Sequence, residues 1–162
     1  MKIYITEKIW RDPEVKNYVM LDVTEDVGGQ EAAVIDGTLL LPKDEYHVTL
    51  VAAGKITGDD PSRTGDLLQD LEEYLCANPD VVRFERLGDE RYVCRDGEEM
   101  TLIAPAEIVG IEGLRRVVTR HVPDYKPAFP HVTLLKNEQS PYGIGVNSTE
   151  DFQALCRRYG IG

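Results

Sequence analysis

The tetrapeptide His-Val-Thr-Leu occurs twice in this chain, at residues 47–50 and again 84 positions later at residues 131–134. The chain contains only three histidines, so two of them precede the same three residues. Both copies lie in runs of β-forming residues, "DEYHVTLVAAG" and "AFPHVTLLKN". Each copy is therefore predicted to form a strand. Any fold for this chain has to accommodate two strands with the same pattern.

Side chains on a strand alternate between its two faces. His47 and Thr49 should therefore point to one face, with Val48 and Leu50 on the other, and the same holds for His131 and Thr133 in the second copy. A duplication kept only for packing would explain the valine and the leucine, but it gives no reason to keep a histidine and a threonine. If the two strands lie side by side about a pseudo-twofold axis, both pairs converge on one cleft.

Two imidazoles on opposite sides of a phosphate can perform acid–base chemistry. The side chain of histidine has an ordinary pKa near neutral pH, so one imidazole can accept a proton while the other donates one. Each positioned proton transfer contributes roughly 10²–10⁴-fold to the rate. Threonine hydroxyls can donate hydrogen bonds to the phosphate oxygens. This chemistry requires no metal and no cofactor.

The rest of the chain predicts an α+β fold with antiparallel sheets flanked by helices. We expect two interlocked pseudo-symmetric lobes, with one His-x-Thr strand from each lobe at a central cleft, in a single domain over residues 1–162. The strands are predicted at residues 2–6, 18–23, 32–41 (with a turn at Asp36-Gly37), 46–54 and 130–136, and in "VVRFERL", "RYVCRDG" and "EMTLIAP". Helices are predicted over residues 64–77, over residues 107–121, and from a Ser148 cap to about residue 158.

Charge and cysteine content indicate the class of partner and the compartment. The net charge of −11 argues against a long polyanion as the main ligand, although the stretch at residues 115–136 is locally basic. Cys76, Cys94 and Cys156 form no CxxC motif, so we interpret them as buried or incidental thiols in a reducing compartment. Charges near the N-terminus and the lack of a long apolar run predict a cytoplasmic protein that does not bind membranes.

Additional substrate contacts are less constrained by the sequence. Lys136 ends the second motif strand and is a candidate for phosphate binding, as Lys55 is after the first, although a solvated lysine explains either. Tyr4 and Phe129 are the candidates for stacking on a base. Trp10, Tyr125 and Tyr142 are further aromatic candidates. His121 lies on the apolar stripe of its predicted helix, which favours a structural role.

The two motifs resemble those of the two-histidine (2H) phosphoesterases, a family that includes RNA 2′,3′-cyclic phosphodiesterase and 2′-5′ RNA ligase-like proteins. Pro130 and the run of residues 100–136 also look like that family. The resemblance implies that His47 and His131 act as acid and base, and that Thr49 and Thr133 hold the phosphate. It further implies metal-independent cleavage of a cyclic or 2′-linked phosphodiester in a small nucleotide or a short or cyclic oligonucleotide.

Three alternatives remain open at this stage. The chain could bind and sequester a nucleotide without turning it over, or it could act as an RNA 2′-5′ ligase. A metal site built from His47, His131 and perhaps His121 is the third alternative. The oligomeric state is not predicted.

Overall fold

The computed structural model describes residues 1–127 and 129–160. These residues form an α+β fold of mostly antiparallel strands with few helices, as the sequence predicts. The strands are β1 (Ile3–Tyr4), β2 (Ile9–Asp12), β3 (Tyr18–Asp22), β4 (Ala33–Ile35), β5 (Thr38–Pro42), β6 (His47–Ala52), β7 (Arg83–Leu87), β8 (Arg91–Asp96), β9 (Glu99–Val109), β10 (His131–Lys136) and β11 (Cys156–Tyr159). The helices are α1 (Thr24–Val27), α2 (Ala53–Ile56), α3 (Pro61–Ala77), α4 (Ile111–His121) and α5 (Thr149–Leu155).

The chain divides into two compact units, each assembled from three segments of sequence. Unit 1 comprises Met1–Asp22, Val48–Glu85 and Ile108–Tyr125. Unit 2 comprises Val23–His47, Arg86–Glu107 and Lys126–Gly162. The pseudo-symmetry of the predicted lobes stays a prediction.

Unit 1 combines a sheet with the two longest helices. Its strands follow the order β1-β2-β3-β6. Helix α3 begins at Pro61, because the Asp60 side chain accepts hydrogen bonds from the first-turn amides and proline is favoured at that position. The helix buries the apolar stripe that the sequence predicts, which includes Leu67, Leu71 and Leu75. It begins three residues before the predicted start at residue 64, because Asp60 and Pro61 act as helix-start signals.

Helices α3 and α4 pack closely against each other. A Cβ atom at Gly113 would overlap the hydroxyl of Tyr74, so glycine permits this approach. At the end of α4, Nε2 of His121 lies 2.6 Å from Oδ2 of Asp70 on α3. This contact gives His121 a structural role.

In unit 2, β5, β10, β9, β8 and β11 form a sheet of successive antiparallel neighbours, and β4 pairs with β5. One face of this sheet is apolar and buried, with Leu40, Val93, Ala104 and Val132 all at most 1% exposed. The other face carries His131 and is called the histidine face below. The β4–β5 hairpin turns at Asp36 and Gly37, both with positive φ as a two-residue turn requires, which confirms the predicted turn.

A β-bulge interrupts the pairing of β10 with β9. Thr133 is opposite Ile103 and Leu135 is opposite Leu102, so Leu134 is an extra residue in the ladder. Because a bulge adds one residue to the strand, the residues after it lie on the opposite face from the one that strict alternation predicts. Lys136, which is opposite Thr101, therefore lies on the same face as His131 and Thr133.

The C-terminal part of unit 2 differs from the prediction. Helix α5 starts at the predicted Ser148 cap, whose Oγ accepts a hydrogen bond from the Asp151 amide at 3.0 Å, but it ends at Leu155 instead of continuing to residue 158. Residues 156–159 form strand β11 instead, because pairing with β8 provides backbone partners that the local sequence does not reveal. Ile161 and Gly162 lie outside the described residues, as does Ala128.

Cys94 and Cys156 form a disulfide between β8 and β11, where they occupy directly opposed positions. The expectation of free thiols is therefore wrong for this pair, and Cys76 is the remaining exposed thiol. Disulfides are uncommon in reducing compartments, so the cytoplasmic location stays a prediction.

Five further elements differ from the sequence prediction. Strand β2 and the one-turn helices α1 and α2 are not predicted, since none of them is long enough to show a periodicity. Strand β9 extends to Val109, so α4 starts at Ile111 and not at residue 107. Gly110, with φ of 83°, provides the change from strand to helix. Among the described residues, no helix combines the length and the apolar character needed to cross a membrane.

Candidate functional site

The second HVTL copy forms the first four residues of β10. Val132 and Leu134 are 0% and 2% exposed, while His131 and Thr133 are half-buried on the histidine face. The strand register places Pro105 opposite His131 and Ile103 opposite Thr133. The second motif therefore has the two-faced arrangement that its alternation predicts.

The first HVTL copy shows the same burial pattern at the start of β6. Val48 and Leu50 are 0% and 8% exposed, and His47 and Thr49 are half-buried. Two backbone contacts hold the residue before this strand, because the Tyr46 amide donates to Thr24 Oγ1 at 3.0 Å and the Val23 amide donates to the Tyr46 carbonyl at 3.0 Å. These contacts fix where β6 begins.

The hydroxyls of both motif threonines have no hydrogen-bond partner among the described residues of the chain. Thr49 and Thr133 are both only half-buried, so water can reach their hydroxyls in the free protein. By contrast, the hydroxyl of Thr57 donates to the Ala53 carbonyl at 2.9 Å within unit 1. The motif hydroxyls are thus available to a ligand, whereas that of Thr57 supports the fold.

The imidazole of His131 has one nitrogen engaged by the backbone. Its Nδ1 lies 3.3 Å from the carbonyl oxygen of Phe129, and a carbonyl can only accept, so Nδ1 carries the proton in that contact. Burial lowers the pKa of His131, and the contact with the Phe129 carbonyl offsets this only in part. The neutral imidazole then presents Nε2 as a proton acceptor.

Phe129 lies in an aromatic cluster next to His131. Its ring centroid is 6.1 Å from that of His131, 5.7 Å from that of Tyr92 and 4.8 Å from that of Phe152. The rings of Tyr92 and Phe152 contact each other edge to face at 4.8 Å. Phe129, predicted to stack on a base, is half-buried and packs between two aromatic side chains and the imidazole.

The loop after β10 crosses the histidine face. Lys136 Nζ donates to the carbonyl oxygen of Pro141 at 3.1 Å. Gly143 has a φ of 82°, and a Cβ built there would lie 3.7 Å from Thr133 Oγ1. The positive φ favours glycine at this position, and the loop backbone passes close to the threonine hydroxyl.

Tyr4 lies far from the HVTL residues of its own unit. It is 61% exposed on β1, which is separated from β6 by β2 and β3, and its ring centroid is 6.3 Å from that of Trp10. Adjacent strands are about 4.8 Å apart, so Tyr4 is about 14 Å from β6 across the sheet. Of the predicted residues, the structure brings His131, Thr133, Lys136 and Phe129 together.

Lys43 also belongs to this region, and the sequence reasoning did not identify it. It follows β5 directly, and its backbone amide donates to the Tyr46 hydroxyl at 3.2 Å. Burial and the positive charge of Lys136 lower the pKa of Lys43, while Glu45 raises it. No local pattern could have identified this lysine, since its proximity to Lys136 results from the pairing of β5 with β10.

In the described part of the chain, no group of three or more His, Cys, Asp and Glu side chains is arranged to hold a metal ion. None of the protein-family models, curated proteins or solved structures compared with the chain matches it. The chemistry of the site therefore has to be inferred from its own residues.

Proposed function

We propose that this protein is a metal-independent phosphodiesterase that cleaves a cyclic or 2′-linked phosphodiester in a small nucleotide or oligonucleotide. The observation that carries the proposal is the repeated pattern of the two HVTL strands. Each strand buries its valine and leucine and leaves a histidine and a threonine half-buried, with a threonine hydroxyl that no described residue engages. Two copies of a polar pair that packing does not require are best explained by a shared ligand.

In this proposal His131 is the base and His47 is the acid. Neutral His131 removes a proton from water through Nε2, and the water oxygen forms a bond to phosphorus. The bond from phosphorus to the leaving 2′ oxygen breaks, and protonated His47 donates its proton to that oxygen. The lowered pKa of His131 supports the assignment, because a base must be unprotonated at neutral pH.

The threonines and Lys136 bind the phosphate in this proposal. The hydroxyls of Thr49 and Thr133 donate to the non-bridging oxygens and stabilise the charge that develops on them. Lys136 shares the histidine face with Thr133 and supplies a positive charge. With a net charge of −11, the chain is better suited to a small ligand than to long RNA.

The test is a screen of 2′,3′-cyclic, 2′-5′-linked and cyclic di- and trinucleotide substrates in buffer with a chelator, with products identified by mass. We expect hydrolysis by the wild type and a loss of at least about 10²-fold for His47→Ala and for His131→Ala. His121→Ala is the matched control, because this third histidine contacts Asp70 and has no role in the proposed chemistry. Thermal melts establish that each variant is folded.

Two outcomes would contradict the proposal. Unchanged hydrolysis in both motif variants would show that the histidines are not the acid and base. Binding of a cyclic nucleotide by the wild type without any product would instead identify a sequestering protein.

A further inference from the structure

Lys43 and Lys136 are brought together by the pairing of β5 with β10. Leu41 is directly opposite Lys136, so both side chains lie on the histidine face. Lys43 is two residues after Leu41, just beyond the end of β5, and its ammonium is close enough to that of Lys136 to be affected by its charge. Two lysines from separate segments of the chain thus lie close to each other, and one of them, Lys136, shares the face of Thr133.

The two positive charges repel each other, and the Glu45 carboxylate offsets this for Lys43 only in part, because the pKa of Lys43 remains lowered. Like charges repel, and the cost increases when water is partly excluded. Both lysines are half-buried, and in the described parts of the chain no carboxylate lies within ion-pair distance of either ammonium. The chain contains 29 acidic residues against 18 lysines and arginines, so carboxylates are plentiful elsewhere. An anionic ligand would add a negative charge close to both ammonium groups.

We propose that Lys43 and Lys136 bind a second phosphate of the substrate, next to the phosphate that is cleaved. The inference rests on the proposed function and narrows its substrate class. On β9, the partners of Thr133 and Lys136 are two residues apart, which corresponds to about 7 Å along the sheet. This spacing suits two phosphates of adjacent nucleotides. The substrate is then a dinucleotide or a cyclic oligonucleotide and not a nucleoside 2′,3′-cyclic monophosphate.

Exposed apolar side chains adjoin the lysine pair. Val34, Leu39 and Leu41 are 67%, 55% and 42% exposed, and the hairpin register places all three on the histidine face. An apolar surface next to a phosphate site can contact the face of a nucleobase. The β4–β5 hairpin therefore suits the base attached to the second phosphate.

The experiment compares substrates with and without the charge of the second phosphate. The three substrates are a nucleoside 2′,3′-cyclic monophosphate, a dinucleotide that ends in a 2′,3′-cyclic phosphate, and the same dinucleotide with a neutral methylphosphonate as its internal linkage. Turnover and equilibrium binding are measured for each, and binding is also measured for a cyclic dinucleotide. The variants are Lys43→Met and Lys43→Arg, with Lys8→Met as the control at an exposed lysine of unit 1.

We expect Lys43→Met to lower kcat/KM and affinity for the charged dinucleotide by about 10- to 100-fold, the range of one charge-assisted hydrogen bond. The change for the monophosphate and for the methylphosphonate should be less than about threefold, since neither has the second charge. Lys43→Arg should retain most of the activity, and Lys8→Met should behave as the wild type.

The outcomes separate this inference from the proposed function. If the wild type turns over all three substrates and Lys43→Met lowers kcat/KM equally for all of them, or for none, the second-phosphate site is overturned. The phosphodiesterase proposal is then left intact. Binding of the cyclic or charged linear dinucleotide that depends on Lys43, without turnover, would support the site and contradict the phosphodiesterase proposal. A wild type that neither binds nor cleaves any of these compounds would overturn both.

Discussion

Replacing Thr133 with valine removes one hydroxyl and keeps a β-branched side chain of similar volume. The hydroxyl is half-buried and has no partner among the described residues, so its removal breaks no hydrogen bond that supports the fold. We therefore expect the free energy of unfolding to change by less than about 0.5 kcal/mol. If the hydroxyl stabilises charge on the reacting phosphate, its loss should lower kcat by about 10²–10³-fold.

Thr57→Val is the matched control for the same chemical change. Thr57 is 2% exposed, and its Oγ1 lies 2.9 Å from the Ala53 carbonyl and 2.5 Å from Thr64 Oγ1. Removing this hydroxyl breaks buried hydrogen bonds that each contribute about 0.5–1.5 kcal/mol to stability. The control should therefore lose stability and, where it is folded, keep its activity.

The two variants are compared by urea denaturation and by turnover of the substrate identified in the screen. Denaturation gives the free energy of unfolding and its m value, so that a change of stability can be separated from a change of compactness. We expect opposite results for the two positions. A Thr133→Val variant that is destabilised as much as Thr57→Val and keeps its kcat would refute this expectation.

Two further predictions concern pH and the anchoring of β10. Because burial lowers the pKa of His131, its imidazole stays neutral until the pH falls below the ordinary value of about 6.5. The acid limb of the kcat/KM profile should therefore lie below that value, and a limb above it would contradict the assignment of His131 as base. Asn137→Ala should cost about 2–4 kcal/mol in urea denaturation, because this 6% exposed side chain accepts from the Met100 amide at 3.1 Å and donates to the Glu98 carbonyl at 2.8 Å. The exposed Asn78→Ala should cost less than about 1 kcal/mol, and equal losses at both positions would contradict this account.

Elements that depend on local sequence were predicted well. The periodic leucines of α3 and the apolar stripe of α4 correspond to helices, and the Asp36-Gly37 turn joins β4 to β5. Elements that depend on distant pairing were not predicted. Strand β11 and the disulfide of Cys156 with Cys94 both require residues that are 62 positions apart to become neighbours, which no local pattern indicates.

The candidate site shows the same limit. The burial of Val132 and Leu134 opposite His131 and Thr133 follows from alternation along one strand. The position of Lys43 does not, because it depends on which strand lies beside β10 and in which register. The sequence therefore predicts the candidate catalytic residues that lie along one strand. It does not predict the residues that a neighbouring strand places beside them, and in our proposal these determine the class of substrate.

Lys136 shows how a correct choice of residue can rest on an incomplete geometric argument. Strict alternation from His131 would place Lys136 on the face of Val132 and Leu134, away from the phosphate that it is proposed to bind. The bulge adds one residue to β10, so both Leu134 and Leu135 are buried and Lys136 returns to the histidine face. In the sequence, the bulge is visible only as two consecutive apolar residues, Leu134 and Leu135, after a strictly alternating segment. Because Lys136 and Thr133 share a face only through the bulge, the proposed phosphate site depends on an irregular ladder and not on strand periodicity alone.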